Sequence, residues 1–387
     1  MSPSNSQASV SSSFERILTT HTGSLARPPK LAAMLKTIAA RKPVALDLFE
    51  AECLAAVNDV VRKQCEVGLD IINDGEMSKT GFAQYIDVRL NGFEGMPERR
   101  GGSLEDREFF EDDDEIQPTR LMLQPCTGPL SWKDFAGVER DIARLKSATS
   151  GLSGRQVFMT SLSPGSFTNF HPNRYYASRE HYLAAIADVM KLEYEAIAAA
   201  GFIVQLDSPD LAQRSYNFPD LPLKEWRKLI IQNVEAANVA TRAIPQQQIR
   251  VHVCWGANEG PHNHDTELKD IVDILLRLRC GAISIVGANG RHEHEWRVWE
   301  NVKLPDGMKI IPGVIDSTTN IVEHLQTVAD RLMRFASVLG RENVVGGVDC
   351  GFGTNADWLQ VRPKVAWAKL RSLVDGAALA SQMLWKN

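Results

Sequence analysis

His252 and Cys254 stand two residues apart in Arg250-Val-His-Val-Cys-Trp-Gly256, and Cys350 ends the apolar run Val344-Val-Gly-Gly-Val-Asp-Cys350. On an extended strand, side chains two apart point the same way. His252 and Cys254 can therefore face one ion together, and a cysteine closing a second strand can reach the same ion from another side. One imidazole and two thiolates suit Zn²⁺. Three protein ligands leave a fourth position open, which is the catalytic rather than the structural form of such a centre, and a thiol substrate fits that position.

Elements able to bring these residues together recur along the chain. Eight short apolar runs end or turn polar at Leu25, Glu76, Leu162, Asp207, Cys254, Val286, Ile315 and Val348. Amphipathic stretches separate many of them, near Leu46–Val67, Arg179–Gly201, Lys224–Arg242, Glu267–Arg279, Glu323–Leu339 and Lys364–Trp385. Strands alternating with helices predict a parallel sheet covered by helices, and eight units predict a closed (β/α)₈ barrel of TIM type. The competing architecture is an open doubly wound sheet. Asp74, Glu76, Asp207, His252, Cys254, Asp316, Asp349 and Cys350 fall at the C-terminal ends of different strands. A closed barrel would gather them at one mouth, whereas an open sheet would string them along a crevice.

The segment 92–117, after the second strand, breaks the rhythm with Gly, Arg and the acidic block Glu111-Asp-Asp-Asp-Glu115. It is expected to be an inserted loop or hairpin, either a solvated excursion or a lid over the site. Residues 1–13 are small and polar and predict a disordered tail, leaving 14–387 as a single barrel domain. Of the 387 residues 44% are hydrophobic, enough for a large core, and the net charge is −5. That balance argues against a nucleic-acid partner, and no apolar run reaches membrane-spanning length. The tail lacks the features of a secretory signal. A cytoplasmic protein is expected, with its six cysteines free or metal-bound. Cys53, Cys65, Cys126 and Cys280 lie away from strand ends and are assigned no chemistry.

Several long motifs resemble the cobalamin-independent methionine synthase family in its short single-barrel branch. They are His21-Thr-Gly-Ser-Leu-Ala-Arg-Pro28, Asp74-Gly-Glu76, Gln205-Leu-Asp-Ser-Pro-Asp-Leu211, His252-Val-Cys-Trp-Gly256 with Gly260-Pro-His262, Ala288–Trp296, Gly313-Val-Ile-Asp-Ser317 and Asp349-Cys-Gly-Phe-Gly353. The resemblance implies a TIM-type barrel, zinc on His252, Cys254 and Cys350, and an amino-acid thiol such as homocysteine held by Ser24, Glu76 and Asp207. It implies transfer of a methyl or alkyl group to that thiol, with a folate-type donor among the options. His262 and Asp316 are the candidate catalytic residues, His262 as a proton donor near the leaving group. The expected partners are a small-molecule thiol and an alkyl donor, and self-association is left open.

One departure stands out. The family places a further zinc-binding glutamate at the end of the sixth strand, where this chain has Val286. Without that carboxylate the site is one unit more positive, which favours a bound thiolate but loosens metal retention. Glu293 and Glu295, in His292-Glu-His-Glu295, are the nearest substitutes in sequence. Two alternatives follow: a zinc enzyme that conjugates thiols to epoxides or cleaves carbon–sulfur bonds, and a metal-poor homologue without catalysis.

Overall fold

The computed structural model describes residues 15–99, 103–109, 122–356 and 359–385. The tail and the acidic block 111–115 lie outside the described residues.

Eight parallel strands form the centre: β1 (Leu18–Thr19), β2 (Ile71–Ile72), β3 (Gln156–Leu162), β4 (Ile203–Asp207), β5 (Ile249–Val253), β6 (Ala282–Ile285), β7 (Lys309–Pro312) and β8 (Val345–Gly346). β2 to β7 form one continuous sheet, and β1 pairs with β8. Single parallel bridges join the two sets at both edges, Thr20 to Ile71 on one side and Ile310 to Val344 and Gly313 to Gly347 on the other. The ring is therefore closed, as the (β/α)₈ reading expects, and the open doubly wound alternative is set aside. Each strand is buried along most of its length, which explains why the strands read as near-continuous apolar runs rather than alternating ones.

The outer layer contains α1 (Pro29–Ala39), α2 (Leu46–Val67), α3 (Ala136–Ala148), α4 (Arg179–Ala199), α5 (Leu223–Ala240), α6 (Leu325–Leu339) and α7 (Pro363–Trp385). Helix α2 buries Val57, Val60, Val61 and Gln64 along one side. It stops at Gly68, whose φ of 100° is open to glycine at little cost. The helix expected near Glu267–Arg279 is cut down to a 3₁₀ turn (Leu268–Asp270) and one α turn (Val272–Leu275). There the Leu268 N–H is taken by the Glu295 side chain at 2.6 Å.

Between β2 and β3 the chain makes the expected excursion. Leu90–Asn91 pairs antiparallel with Ser131–Trp132, and Glu98–Arg99 pairs with Met122–Leu123. A short helix, Leu104–Phe109, reaches the loop after β5. Glu105 accepts the His264 N–H at 3.0 Å, and Glu108 meets the His264 ring and Asn263. The helix Leu104–Phe109 thus lies at the same end of the barrel that carries the polar strand ends.

Candidate metal and thiol site

Residues 250, 252 and 254 alternate along β5 and its extension, so Arg250, His252 and Cys254 share the inward direction. Cys350 follows β8 across the barrel mouth. Donor atoms of His252, Cys254 and Cys350 all lie within 4.8 Å of one another, and all three residues are buried. The two sulfurs are 3.2 Å apart, well beyond the roughly 2.05 Å of a disulfide. The Cys350 thiol is pushed well above its ordinary value, first by the hydrogen bond with Cys254 and then by burial. The two thiols face each other at hydrogen-bond distance, so a soft cation able to ionise them would find both sulfurs at hand.

The imidazole meets the same requirement. His252 Nδ1 lies 3.3 Å from the Ser284 hydroxyl, while Nε2 is buried without a hydrogen-bond partner. An orphaned buried nitrogen is costly unless something occupies it. The donor set, the close spacing and the free Nε2 fit a soft divalent metal. Gly256, at φ 120°, turns the chain back so that its N–H points at the Cys254 sulfur at 3.2 Å.

Val286 is buried just past β6 and belongs to the hydrophobic core. The alternative carboxylates are engaged elsewhere. Glu295 accepts from Leu268 N–H and meets His292 Nδ1 at 2.9 Å, while Glu293 pairs with Arg331 and Arg334. Among the described residues, the cluster therefore offers three protein donors.

Glu76 and Asp207 both lie buried at the same end of the ring. Asp207 is the register partner of His252 on the neighbouring strand. Its carboxyl is raised above the usual range, first by burial and then by the nearby Glu76 charge, with His252, Gln205 and Lys79 pulling the other way. Glu76 has φ 57°, a left-handed conformation that costs a non-glycine residue energy. One of its oxygens accepts from Thr160 at 3.0 Å, while the other has no hydrogen-bond partner and sits 3.8 Å from Arg27. Ser24 is buried between the loops after β2 and β8: Leu25 N–H donates to the Gly75 carbonyl and Phe352 N–H to that of Ser24. Before it, Gly23 has φ 140°, and a Cβ there would meet Thr160 at 2.6 Å and Glu76 at 3.0 Å.

The two candidate catalytic residues have local partners. His262 Nδ1 meets Asp265 at 2.7 Å and Nε2 meets the Asn258 carbonyl at 3.1 Å. Burial works against its charged form, but the hydrogen bond and charge of Asp265 together with the Asn258 carbonyl outweigh it, so its pKa is raised. Asp316 accepts from the Thr318 N–H and hydroxyl, both at 2.7 Å, within the loop after β7. Asp349 holds the loop after β6 by accepting N–H groups of Gly287, Ala288 and Asn289 at 2.7–2.9 Å.

Reasoning from sequence left several buried polar groups unassigned. Lys79 donates to the Thr160 carbonyl at 2.6 Å, and Arg27 donates to the Lys79 carbonyl at 3.2 Å. Arg250 and Gln205 sit at the centre of the barrel. The signal for these two was their spacing, each two residues before an assigned site residue on the same strand face.

Comparison with known proteins agrees with this geometry. The family model described as the catalytic domain of cobalamin-independent synthases matches residues 136–378. A methionine synthase of Sulfolobus acidocaldarius is 24% identical over 375 residues, covering 95% of this chain and 94% of that protein. A 5-methyltetrahydropteroyltriglutamate–homocysteine methyltransferase of Thermosynechococcus vestitus is 23% identical over 329 residues, 82% of this chain. The chain spans only 38% of that longer enzyme. A 2-hydroxypropyl-CoM lyase of Xanthobacter autotrophicus is 24% identical, with 86% of each chain covered. A solved B12-independent methionine synthase from Shewanella sp. W3-18-1, in complex with selenomethionine, has the same fold, with a TM-score of 0.73 at 20% identity over 95% of this chain and 99% of that one. The protein belongs to the family of cobalamin-independent synthase catalytic domains.

Proposed function

We propose that this protein is a zinc-dependent methyl- or alkyltransferase acting on the thiol of an amino acid such as homocysteine. The observation that carries the reading is the His252–Cys254–Cys350 cluster, with its unpartnered Nε2, at the barrel end that also holds Glu76 and Asp207. Zinc, when bound, supplies the Lewis acidity that keeps a thiol ionised at neutral pH.

The chain's own residues do the rest. His252, Cys254 and Cys350 would hold the metal. Glu76 and Asp207 receive the substrate ammonium, whose positive charge offsets the burial and the Glu76 repulsion that raise the Asp207 carboxyl. The loop at Gly23 and Ser24 receives its carboxylate through backbone N–H groups. Burial excludes water, so the sulfur meets the alkyl carbon in a defined orientation; the sulfur–carbon bond forms as the bond from that carbon to the donor breaks, and the donor atom keeps the electron pair and takes up a proton. His262 takes the proton donor's role in this reading, which requires its Nε2 to leave the Asn258 carbonyl it meets at 3.1 Å, while Asp316 shapes the loop after β7.

The paired buried carboxylates favour a substrate that carries an amino group, and this separates the reading from carbon–sulfur chemistry on a thiol without one. The 5-methyltetrahydrofolate type of donor used by the long relatives is proposed for this chain as well. The test is metal analysis followed by alkylation assays. Near-stoichiometric zinc that is lost in Cys350→Ala, with homocysteine alkylated in preference to 4-mercaptobutanoate, supports the proposal. A protein purified without chelators that neither carries nor takes up zinc overturns it. Preference for the thiol lacking the amino group hands the site to the lyase-type reading.

A further inference from the structure

The centre of the barrel holds a buried guanidinium that the reaction chemistry does not itself require. Arg250 Nε donates to Gln205 Oε1 at 2.6 Å, Nη1 to the Thr20 hydroxyl at 3.0 Å and Nη2 to the His21 carbonyl at 2.8 Å. The guanidinium lies 3.5 Å over the Phe158 ring. Gln205 in turn donates from Nε2 to Asp207 Oδ1 at 2.7 Å and to the Thr22 carbonyl at 2.5 Å. All of these groups are buried.

The direction of these bonds follows from donor chemistry alone. A guanidinium has only donors, so the Gln205 oxygen must face Arg250. The Gln205 NH₂ is then forced toward Asp207 and the Thr22 carbonyl. A flipped amide would set two donors against each other on one side and two acceptors on the other. From this geometry we infer that Arg250 is a positioning residue for substrate binding. It locks the Gln205 amide, which fixes Asp207 Oδ1 and leaves the second carboxylate oxygen for the substrate ammonium. Its bonds to Thr20 and His21, with that of Gln205 to Thr22, also set the three residues leading into Gly23 and Ser24. One side chain thus aligns both ends of the amino-acid site, the ammonium end on β4 and the carboxylate end after β1. This inference rests on the amino-thiol reading above.

The test compares zinc-loaded wild type with Arg250→Met, Arg250→Lys and Gln205→Met, using calorimetric binding of homocysteine and of 4-mercaptobutanoate, which keeps the thiol and carboxylate but lacks the amino group. Gln205→Met replaces the relay with an apolar chain of similar length and guards against an Arg250→Met protein that fails to fold. The expected result is that Arg250→Met and Gln205→Met weaken homocysteine binding by about tenfold or more. Zinc content should stay at the wild-type level, and the preference for homocysteine over the deamino thiol should shrink toward unity. Arg250→Lys, which keeps a donor for Gln205, should recover part of that preference. A preference unchanged in Gln205→Met, or a loss that falls equally on both thiols, overturns the positioning role while leaving the alkyltransferase reading intact. A wild type with no preference for the amino group overturns both.

Discussion

Ser284 on β6 faces His252 on β5 as its register partner, and its hydroxyl lies 3.3 Å from His252 Nδ1. The contact engages Nδ1 and leaves the buried Nε2 without a hydrogen-bond partner. A polar group behind a metal-binding histidine fixes its tautomer and orientation, and losing one typically costs 10–100-fold in metal affinity. Ser284→Ala should therefore weaken zinc binding by roughly tenfold, read by competition with a chelator, with the circular dichroism spectrum unchanged. Wild-type zinc affinity in that variant would show that the ring is held by packing alone.

Val286 lies two residues beyond Ser284, past the end of β6, and is buried. Val286→Glu should place a carboxylate beside the three donors. The expected signature has two signs. The metal-free variant should unfold at a lower temperature than wild type, because an unpaired buried charge is costly. The zinc-loaded variant should hold its metal against chelator longer. If both forms are destabilised alike, the residue 286 side chain does not reach the ion.

Gly23 leaves no room for a side chain beside Glu76. Gly23→Ala should displace Glu76 or Thr160 and strain a backbone at φ 140°. The KM for the amino thiol should rise about tenfold or more, since losing one charged hydrogen bond is worth about 1.5–3 kcal/mol. Zinc content should not change. An unaltered KM would separate Gly23 from the substrate pocket.

His292 is held between Asp265 and Glu295, both at 2.9 Å. Burial opposes its charged form, but the two carboxylates prevail and raise its pKa to about 9. The folded value lies above the ordinary histidine value of about 6.5. The stabilisation is therefore complete below about pH 6.5 and is lost as pH rises through about 9. A shift of this size corresponds to about 3 kcal/mol. Subtracting the denaturation profile of His292→Gln from that of wild type should show stability falling between neutral pH and pH 10. Parallel profiles would remove the imidazolium from the account.

The eight strands are legible in the sequence because strands buried on both faces read as short apolar runs. The metal trio is legible because alternation along one strand places His252 and Cys254 together, and a polar strand end marks Cys350. The left-handed stop at Gly68 shows the end of α2 without help from tertiary structure. Other roles depend on partners distant in the chain. Residue type marks His262 and Asp316 as able to do chemistry, but only folding shows that Asp265 and Asn258 occupy the histidine and Thr318 the aspartate. Glu293 and Glu295 stand near the vacant ligand position in sequence, yet arginines and His292 hold them elsewhere. The Arg250 hub was hidden for the same reason. Its relay joins Gln205 to Thr22 across 183 residues, and the two meet only once the ring has closed.

The strands β1 and β8 are only two residues long and join their outer neighbours through isolated bridges, one between β1 and β2 and two between β7 and β8. His252 and Cys254 stand on the long sheet, while Cys350 stands just past the short segment that shuts it. A metal gripping all three would act as a rivet across the weakest seam of the cylinder. Removing it should let amide protons around Val344–Asp349 exchange with solvent sooner than those of β4 or β5.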